Sequence, residues 1–242
     1  MAKQDNPWDK FYEEGGEYTM MQYPFGVVIE FIKTYLSRHC LGGGLCDIKT
    51  IKVLELGCGS GANIRYAAKL GLDVYAVDIS ATAIEYAKAK FKEEGLPVND
   101  SNFKVCSFDQ VEFPDNYFDM VIDRGALLYA DNDTFIRTIN NIHKMLKKGG
   151  MFLLTPRSEV DTPTIKLIHD EYGFDARSNL FKDKYHIENT FSLKDIVKIL
   201  DNRFEFLVLR RNDRVNYILS KEGNGVAGHE ISSMYDIFLE KK

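Results

Sequence analysis

Short apolar runs alternate along this chain with longer stretches in which apolar and polar positions recur at helical spacing. Five of the apolar runs have the length of buried strands, which are commonly about five or six residues long. These runs lie at residues 51–56, 73–78, 102–106, 118–123 and 151–155. Strands that alternate with helices in this way predict right-handed βαβ units around a buried parallel sheet.

Two of the intervening stretches have the period of an amphipathic helix. Residues 81–94 begin after Ser80, which has the side chain of an N-cap, and end before Gly95, a residue type favoured just past a helix. Residues 133–150 end in lysines and two glycines, which is also typical of a helix C-terminus. We therefore predict two helices here, the second of them running as far as the glycines.

The pattern changes towards both ends of the sequence. Residues 8–23 are rich in aromatic and polar side chains, and residues 25–36 have helical periodicity. Residues 204–210 and 234–242 look like strands, without a clear helix between them. An antiparallel pair at the edge of the sheet is the simplest arrangement for two such strands.

These elements predict a single domain over residues 1–242, a length at which α/β folds are often one unit. Its predicted parts are an N-terminal helical cap (1–45), a central core (51–156), a lid or insertion (157–192) and a C-terminal helix with the strand pair (193–242).

Composition narrows the function classes. The chain of 242 residues is 45% hydrophobic, with a net charge of −5 and a pI of about 5.6, which argues against nucleic acid or an anionic membrane as its main partner. Its four cysteines show no C-x-x-C spacing, and we find no secretory signal and no apolar run that would span a bilayer. We expect a cytoplasmic protein with reduced thiols.

A glycine-rich stretch, "VLELGCGSG" at residues 53–61, follows the first predicted strand. Gly57, Gly59 and Ala62 satisfy the G-x-G-x-x-G/A pattern of dinucleotide-binding turns. Asp78 ends the next strand, where a carboxylate accepts hydrogen bonds from ribose hydroxyls. Sites for a nicotinamide dinucleotide and for S-adenosylmethionine (SAM) both fit this pattern. The alternative is a tight turn that merely needs small residues.

Two further acids favour SAM. Glu55 precedes the glycines, where it would repel a pyrophosphate but attract the ammonium and sulfonium groups of SAM. Its alternative role is to orient the loop by accepting backbone N–H bonds. Asp109 follows the third strand, so it is expected at the same edge, accepting from the adenine amino group while Phe108 packs on the ring. The alternative for Asp109 is a turn or cap.

With these motifs the chain resembles the class I SAM-dependent methyltransferases over residues 51–156. "VLELGCGSG", "VDIS" and "FDQ" are similar to the family's loop, ribose and adenine motifs, and "FDMVIDRGALLY" and "LKKGGMFLLTP" to its fourth- and fifth-strand motifs. The resemblance implies a three-layer αβα Rossmann-like sandwich, whose mostly parallel seven-stranded sheet ends in an antiparallel C-terminal hairpin. It also implies that residues 51–156 form a SAM-binding core and that S-adenosylhomocysteine (SAH) is the product. The expected cofactor-binding residues are Glu55, Gly57, Cys58, Gly59, Gly61, Asp78, Ile79, Phe108, Asp109 and Arg124.

The acceptor is expected above the carboxyl ends of the strands. The substrate-binding candidates are Tyr18, Tyr23, Tyr129, Arg157 and Tyr185, although such aromatics also serve as lid packing. His186 is the candidate general base, with a surface or lid-packing histidine as the alternative. The "DND" stretch at 131–133 precedes a helix, so we assign it to N-capping and predict no metal.

The function that we predict is methyl transfer to a small polar molecule, with an anionic acceptor as the sharper hypothesis and oxygen as the expected acceptor atom. Arg157 is then the preferred clamp for the substrate anion, because Arg124 has the cofactor's carboxylate as an alternative partner. The alternative for both arginines is an ion pair with a nearby acid, Asp123 and Glu159 among them. The alternatives are a protein or nucleic-acid methyltransferase, a non-catalytic SAM-binding subunit and a nicotinamide oxidoreductase. The fourth-strand motif lacks the Asn/Asp-Pro-Pro-aromatic signature of amino-directed nucleic-acid methyltransferases, so we expect no nucleic-acid and no membrane partner. The oligomeric state is left open.

Overall fold

The structure, a computed structural model, describes residues 6–40, 46–158, 190–219 and 226–242. Five strands form its parallel part: β1 (Lys52–Leu56), β2 (Asp73–Asp78), β3 (Phe103–Val105), β4 (Phe118–Asp123) and β5 (Leu146–Leu154). Four more complete the sheet: β6 (Arg157–Ser158), β7 (Thr190–Phe191), β8 (Phe204–Leu219) and β9 (Val226–Lys241). The described helices are α1 (Pro7–Gly15), α2 (Gly26–His39), α3 (Ala62–Lys69), α4 (Ala81–Glu93), α5 (Asn132–Met145) and α6 (Leu193–Leu200).

The sheet has the order β3-β2-β1-β4-β5-β9-β6-β7, with β8 paired to β9. The first five strands are mutually parallel, and β9 runs antiparallel to β5, in a register from Met151 opposite Glu240 to Leu154 opposite Ile237. The predicted parallel core and antiparallel C-terminal pair are therefore confirmed. The two-residue strands β6 and β7 are additional to the seven strands that the sequence predicted.

Two apolar layers, one on each face of the sheet, make the fold a three-layer sandwich. Alternate strand residues contact opposite layers, as the two-residue period of a strand requires. One layer joins the sheet to α2, α3 and α4 through Phe31, Ile64 and Phe91, which are fully buried. The other joins it to α5 and α6 through Ile139 and Leu200. The predicted class of fold is therefore confirmed, while the division of the chain into cap, core and lid stays a prediction.

Two boundaries differ from the sequence prediction. Helix α5 ends at Met145 instead of reaching the two glycines, because Leu146 already pairs with Phe118 and begins β5. The register of that pair of strands then shifts before Met120, and Gly149 has a positive φ of 73°. Strands β8 and β9 are much longer than predicted, since the extension around 210–214 is polar and exposed and so lacks an apolar alternation.

The cysteines also differ from expectation. Cys40, just after α2, forms a disulfide with Cys46, and their Cα atoms lie 5.0 Å apart, a separation usual for such a bond. Cys58 and Cys106 are free thiols, as expected. Within the described ranges no helix is both long and apolar enough to cross a bilayer.

Candidate functional site

A cavity of about 310 Å³ lies at the carboxyl ends of β1, β2 and β4, which is where parallel α/β sheets bind ligands. Its walls come from the glycine loop after β1, from the ends of β2 and β3, from the turn after β4, and from α1 and the segment that follows it. Five aromatic side chains contribute to these walls: Trp8, Tyr12, Phe25, Phe108 and Tyr129.

Close packing explains two of the loop glycines. Both have a positive φ, +61° at Gly57 and +53° at Gly59, which side chains disfavour. A Cβ built on Gly57 would lie 2.3 Å from the Cβ of Ala126, and one on Gly59 would lie 2.7 Å from the Tyr12 hydroxyl. The loop is therefore pressed against the turn after β4 on one side and against α1 on the other.

Glu55 is buried at the end of β1 and lines the cavity. Its Oε1 accepts a 2.7 Å hydrogen bond from Asn63 Nδ2, whereas its buried Oε2 has no hydrogen-bond partner among the described residues. Burial raises the pKa of Glu55 to about 8, against the opposing effect of the Asn63 hydrogen bond. A cationic ligand group beside Oε2 would restore the ionised form.

Asp78 holds the glycine loop and the start of α4 together. Its Oδ2 accepts from the Gly59 N–H at 2.8 Å, and its Oδ1 accepts from the Ser80 N–H at 2.9 Å. Burial raises the pKa of Asp78, although both hydrogen bonds favour the charged form. Each carboxylate oxygen has a further lone pair, so Asp78 still offers acceptors to hydroxyl groups in the cavity.

Helix α1, which we call the cap helix, presents two faces. Asn6, Asp9 and Glu13 contact the start of α4: Asn6 Nδ2 donates to the Ile79 carbonyl at 2.8 Å, and Asp9 accepts from the Thr82 N–H at 3.0 Å. Trp8 and Tyr12 form part of the cavity wall, and the Trp8 ring lies edge-on to Tyr129 at 4.9 Å. None of the helix's own residues is fully buried, so polar contacts and ring packing hold it in place.

Arg124 follows β4 and lines the cavity beside Phe25. Its guanidinium carbon lies 3.8 Å from the centre of the Phe25 ring, and its Nη1 lies 3.9 Å from the Met234 sulfur. The neighbouring Asp123 accepts from the Ala126 and Leu127 N–H groups through Oδ1 and thereby shapes the turn. Burial lowers the pKa of Arg124 and raises that of Asp123 to about 6.

Most of the predicted cofactor-binding residues come together in this cavity. Eight of the ten line its wall: Glu55, Gly57, Cys58, Gly59, Asp78, Ile79, Phe108 and Arg124. Gly61 lies behind the wall as the N-cap of α3. Asp109 also lies outside the wall, because its carboxylate is held by the Ser107 hydroxyl at 2.5 Å and by Arg137 at 3.3 Å. An adenine contact for Asp109 therefore remains a prediction that this geometry does not favour.

The predicted substrate residues are more scattered. Tyr129 lines the cavity, whereas Tyr18 and Tyr23 are outside its wall and almost fully exposed. Arg157 lies in β6, opposite Met234, and contributes nothing to the wall. Tyr185 and His186 lie outside the described residues, so the roles predicted for them remain predictions.

The sequence analysis left several wall residues unassigned. Trp8 belongs to the aromatic-rich residues 8–23, and Ala126 belongs to the fourth-strand motif. Phe25 begins the stretch for which only a helix was predicted. Asn63 carries no signal in the sequence, because an asparagine in the first turn of a helix has many roles. Cys106 carries no signal either, because a free cysteine commonly packs as a small apolar residue in a protein core.

The described part of the cavity wall does not hold the ligand set of a metal centre. Within the described ranges, no three His, Cys, Asp or Glu side chains are grouped so that they could hold an ion. Asp131 is the N-cap of α5 and accepts from the Thr134 N–H at 2.7 Å, as predicted for the "DND" stretch. The donor set instead fits SAM: an unpartnered buried carboxylate oxygen for a cation, an acid at the next strand end for hydroxyls, and aromatic walls.

Comparison with known proteins agrees with this geometry. The model of a family described as "Methyltransferase domain" matches residues 53–150. The chain is 32% identical over 147 residues to phosphoethanolamine N-methyltransferase 3 of Arabidopsis thaliana, covering 56% of this chain and 29% of that one. It is 29% identical over 187 residues to the ubiquinone biosynthesis O-methyltransferase of Pelagibacter ubique, covering 71% and 74%. The chain spans less than half the length of several curated relatives that it matches.

A solved structure shares the fold of this chain. The 1,6-didemethyltoxoflavin-N1-methyltransferase of Burkholderia thailandensis, solved with bound 1,6-didemethyltoxoflavin and SAH, superposes with a TM-score of 0.57. The match covers 100% of this chain and 93% of that one, at 15% sequence identity. At this identity the likeness shows a shared fold, and the site chemistry is argued from this chain's own residues.

Proposed function

Because the chain is a member of the class I, Rossmann-like SAM-dependent methyltransferases, we propose that it transfers a methyl group from SAM to a small polar molecule. The observation that carries the proposal is the unpartnered Oε2 of Glu55 in the wall of the glycine-loop cavity. Burial of an unpaired carboxylate oxygen costs free energy, and a cationic ligand group beside it would offset this cost. The ammonium of SAM is such a group.

The residues of the cavity divide among the parts of the cofactor. Glu55 binds the ammonium, and Asp78 accepts hydrogen bonds from the ribose hydroxyls while it keeps the glycine loop in place through the Gly59 N–H. Ile79 and Phe108 contact the adenosine from the ends of β2 and β3. Gly57 and Gly59 allow close approach of the ligand to the loop backbone.

When bound, SAM supplies a methyl group on a sulfonium that is already activated for displacement, so the protein contributes mainly alignment and exclusion of water. Trp8, Tyr12 and Tyr129 close the cavity from the side of the cap helix. Burial raises the pKa values of Tyr12 and Cys58, so both stay protonated near neutral pH and neither acts as a general base. His186 remains the candidate base for an acceptor that must lose a proton.

The acceptor is a small molecule, because the cavity has a volume of about 310 Å³ and five aromatic side chains in its wall. The Pelagibacter relative is named as an O-methyltransferase and the Arabidopsis relative as an N-methyltransferase, so relatives of this chain are named for different acceptor atoms. We propose oxygen here, because an acceptor oxygen that is already anionic requires no general base.

Titration calorimetry tests cofactor binding. We expect saturable binding of SAH and none of NADH, and we expect Asp78→Ala to weaken SAH binding by about tenfold or more, because charged hydrogen bonds are worth about 1.5–3 kcal/mol. Asp131→Ala removes a comparable acid from the cap of α5, outside the cavity, and should leave SAH binding unchanged. Binding of NADH without SAH would contradict the proposal.

Activity is tested separately from binding. The protein is incubated with methyl-labelled SAM and either a small-molecule extract or a protein and nucleic-acid fraction. Label that enters small molecules supports the proposal, and label that enters macromolecules assigns a different substrate class. SAH binding without any labelled product in either fraction would support a non-catalytic SAM-binding subunit.

A further inference from the structure

Arg124 is a cation in the cavity wall with no ion pair among the described residues. Its Nε is buried and has no hydrogen-bond partner there, and its Nη1 reaches only the weakly accepting thioether of Met234. The aromatic ring of Phe25 stabilises the guanidinium by a cation–π contact but does not neutralise it. Arginine is seldom buried to this extent unless an anion pairs with it.

Three carboxylates act on Arg124, those of Asp236, Asp123 and Glu55, and each has a hydrogen-bond partner other than Arg124. Asp123 Oδ2 and Glu55 Oε2 have no hydrogen-bond partner among the described residues. Asp236 accepts from Arg210 at 3.0 Å and from Asn212 at 2.6 Å through the same oxygen. Asp123 directs its Oδ1 to two backbone N–H groups of the turn. None of these acids forms an ion pair with Arg124 among the described residues, and Arg124 contributes to the cavity wall, so its guanidinium is available to an anion that binds there.

A second arginine adds to the positive charge. Arg214, on the polar extension of β8, is exposed, has no ion pair among the described residues, and lies close enough to Arg124 to disfavour its protonated form. Arg124 in the wall and the exposed Arg214 together give this part of the cavity a positive potential, which attracts anions.

We propose that the methyl acceptor carries a carboxylate or phosphate group and that Arg124 binds this group, with Arg214 attracting it. This inference rests on the proposed methyl transfer. It moves the anion clamp from Arg157, which lies outside the cavity wall, to Arg124, which lies in it.

The position of Arg124 places it on the acceptor's side of the cavity. The cofactor groups are assigned to the ends of β1, β2 and β3, at Glu55, Asp78 and Phe108. Arg124 follows β4 and contacts Met234 of β9, on the opposite side of β1 from β2 and β3 in the strand order. An acceptor anchored there by its anionic group lies next to the methionyl part of the cofactor.

The proposal is tested by NMR on the SAH complex, with the arginine Nε–H signals labelled and the Arg124 signal assigned from an Arg124→Lys variant. The probes are acetate, its neutral isostere acetamide, and inorganic phosphate. We expect the Arg124 signal to shift saturably with acetate or phosphate and not with acetamide. The anion that binds with the higher affinity, acetate or phosphate, identifies the acceptor's group as a carboxylate or a phosphate.

Matched variants separate this role from the alternatives. Arg214→Gln should weaken the anion response about two- to fivefold at low ionic strength, whereas Arg137→Gln, which removes an exposed arginine outside the cavity, should not change it. Arg124→Gln lacks the NMR signal, so anion binding to this variant is followed by calorimetry beside the wild type. Saturable binding of acetate or phosphate should be lost, while the affinity for SAH changes by less than about threefold.

Two outcomes overturn the inference. A signal that responds to neither anion shows that Arg124 binds no acceptor group. A loss of SAH affinity of about tenfold or more in Arg124→Gln assigns the arginine to the cofactor's own carboxylate. Failure of the wild-type protein to bind SAH would instead contradict the proposed function, and the anion titration of the free protein would still report on Arg124.

Discussion

The Oδ1 of Asp9 accepts a hydrogen bond from the Ser80 hydroxyl at 2.7 Å, and this bond joins the cap helix to the first turn of α4. Ser80 is itself the N-cap of α4 and accepts from the Ala83 N–H at 3.0 Å. Its own N–H donates to Asp78. A single serine therefore connects the cap helix to the carboxylate that is proposed to bind the ribose.

Removal of this bond should loosen the cap helix. In Asp9→Ala we expect the fluorescence anisotropy of Trp8, the chain's only tryptophan, to fall, because a hydrogen bond to a charged group is worth about 1.5–3 kcal/mol. Global stability should change less, since the helix has no fully buried residue. Fluorescence on the SAH-free protein, with hydrogen exchange of the α1 amides, measures this without reference to the cofactor.

Lys10→Ala is the control for Asp9. Lys10 lies on the same helix, and among the described residues its ammonium pairs with Glu14 on the exposed side, 3.4 Å away. Its removal should leave the mobility of Trp8 unchanged. If Trp8 moves equally in both variants, the contact between Asp9 and Ser80 does not hold the helix.

Replacement of Gly57 by alanine should disrupt the site by a clash. Its Cβ would lie 2.3 Å from that of Ala126, so the turn after β4 must shift, and we expect a loss of about 2–4 kcal/mol in the free energy of unfolding together with weaker SAH binding. Combining it with Ala126→Gly removes the clashing methyl group and should recover much of the loss. Chemical denaturation of the four species of this double-mutant cycle gives the coupling.

Gly95→Ala separates the clash from the backbone strain. Gly95 has a φ of +67°, close to that of Gly57, but its Cβ would meet open space. This variant should therefore cost only the strain of a left-handed residue, about 1 kcal/mol. Equal losses at the two glycines would show that packing against Ala126 is unimportant.

Glu55 should make stability depend on pH. Its ordinary pKa of 4.5 rises to about 8 in the folded protein, so between these values the folded state holds a proton that the unfolded state has lost. The stability that this proton contributes is present below about pH 4.5 and is lost as the pH rises towards 8, by at most about 1.4 kcal/mol per pH unit. Denaturation at a series of pH values, compared with Glu55→Gln, isolates this contribution from those of Asp78 and Asp123.

The same group should couple cofactor binding to proton release. The ammonium of SAH favours the ionised form of Glu55, so affinity should increase as the pH rises towards about 8, by at most about tenfold per unit. Above this pH the increase should stop. Calorimetry in buffers of different ionisation enthalpy measures the released proton. Release that persists in Glu55→Gln would assign it to another group.

Asp119 lies near the amino-terminal end of β4, at the end of the strands opposite the cavity. Its carboxylate accepts from the Tyr35 hydroxyl at 3.2 Å, from the Lys52 N–H at 2.8 Å and from Lys147 at 2.7 Å. Asp119→Ala leaves these donors unsatisfied, so we expect a loss of about 2–3 kcal/mol in the free energy of unfolding. Because the site lies at the carboxyl ends of the strands, SAH affinity in the folded variant should stay the same. A weakened affinity would reveal coupling across the sheet.

The sequence predicted those features that local pattern and strand topology determine. The strand at 73–78 and the cap at Ser80 needed only periodicity and side-chain type, and the structure reproduces both. Glu55 and Asp78 both line the cavity, as expected for residues at the carboxyl ends of adjacent parallel strands, while their contacts with the cofactor stay predictions.

Features that depend on tertiary partners could not be predicted. Asp78 ends one strand and Asp109 follows the next, so the two acids look similar in sequence. In the structure Arg137 on α5 donates a hydrogen bond to Asp109, and this pair could not be predicted from the local sequence. Arg124 and Arg157 both follow strands and look equivalent in sequence. The structure distinguishes them because β6 pairs with β9 and keeps Arg157 outside the wall.

The position of β9 between β5 and β8 has a consequence for how the protein is made. Residues 151–154 of β5 are fully buried and pair with residues 237–240, so during synthesis this apolar strand remains an open sheet edge until the much later segment has left the ribosome. Pairing at such sequence separation is slow, and an unpaired apolar edge invites association with other chains. Nascent chains that stop before β9 should therefore aggregate or engage chaperones, even though every residue of the glycine loop has already been made.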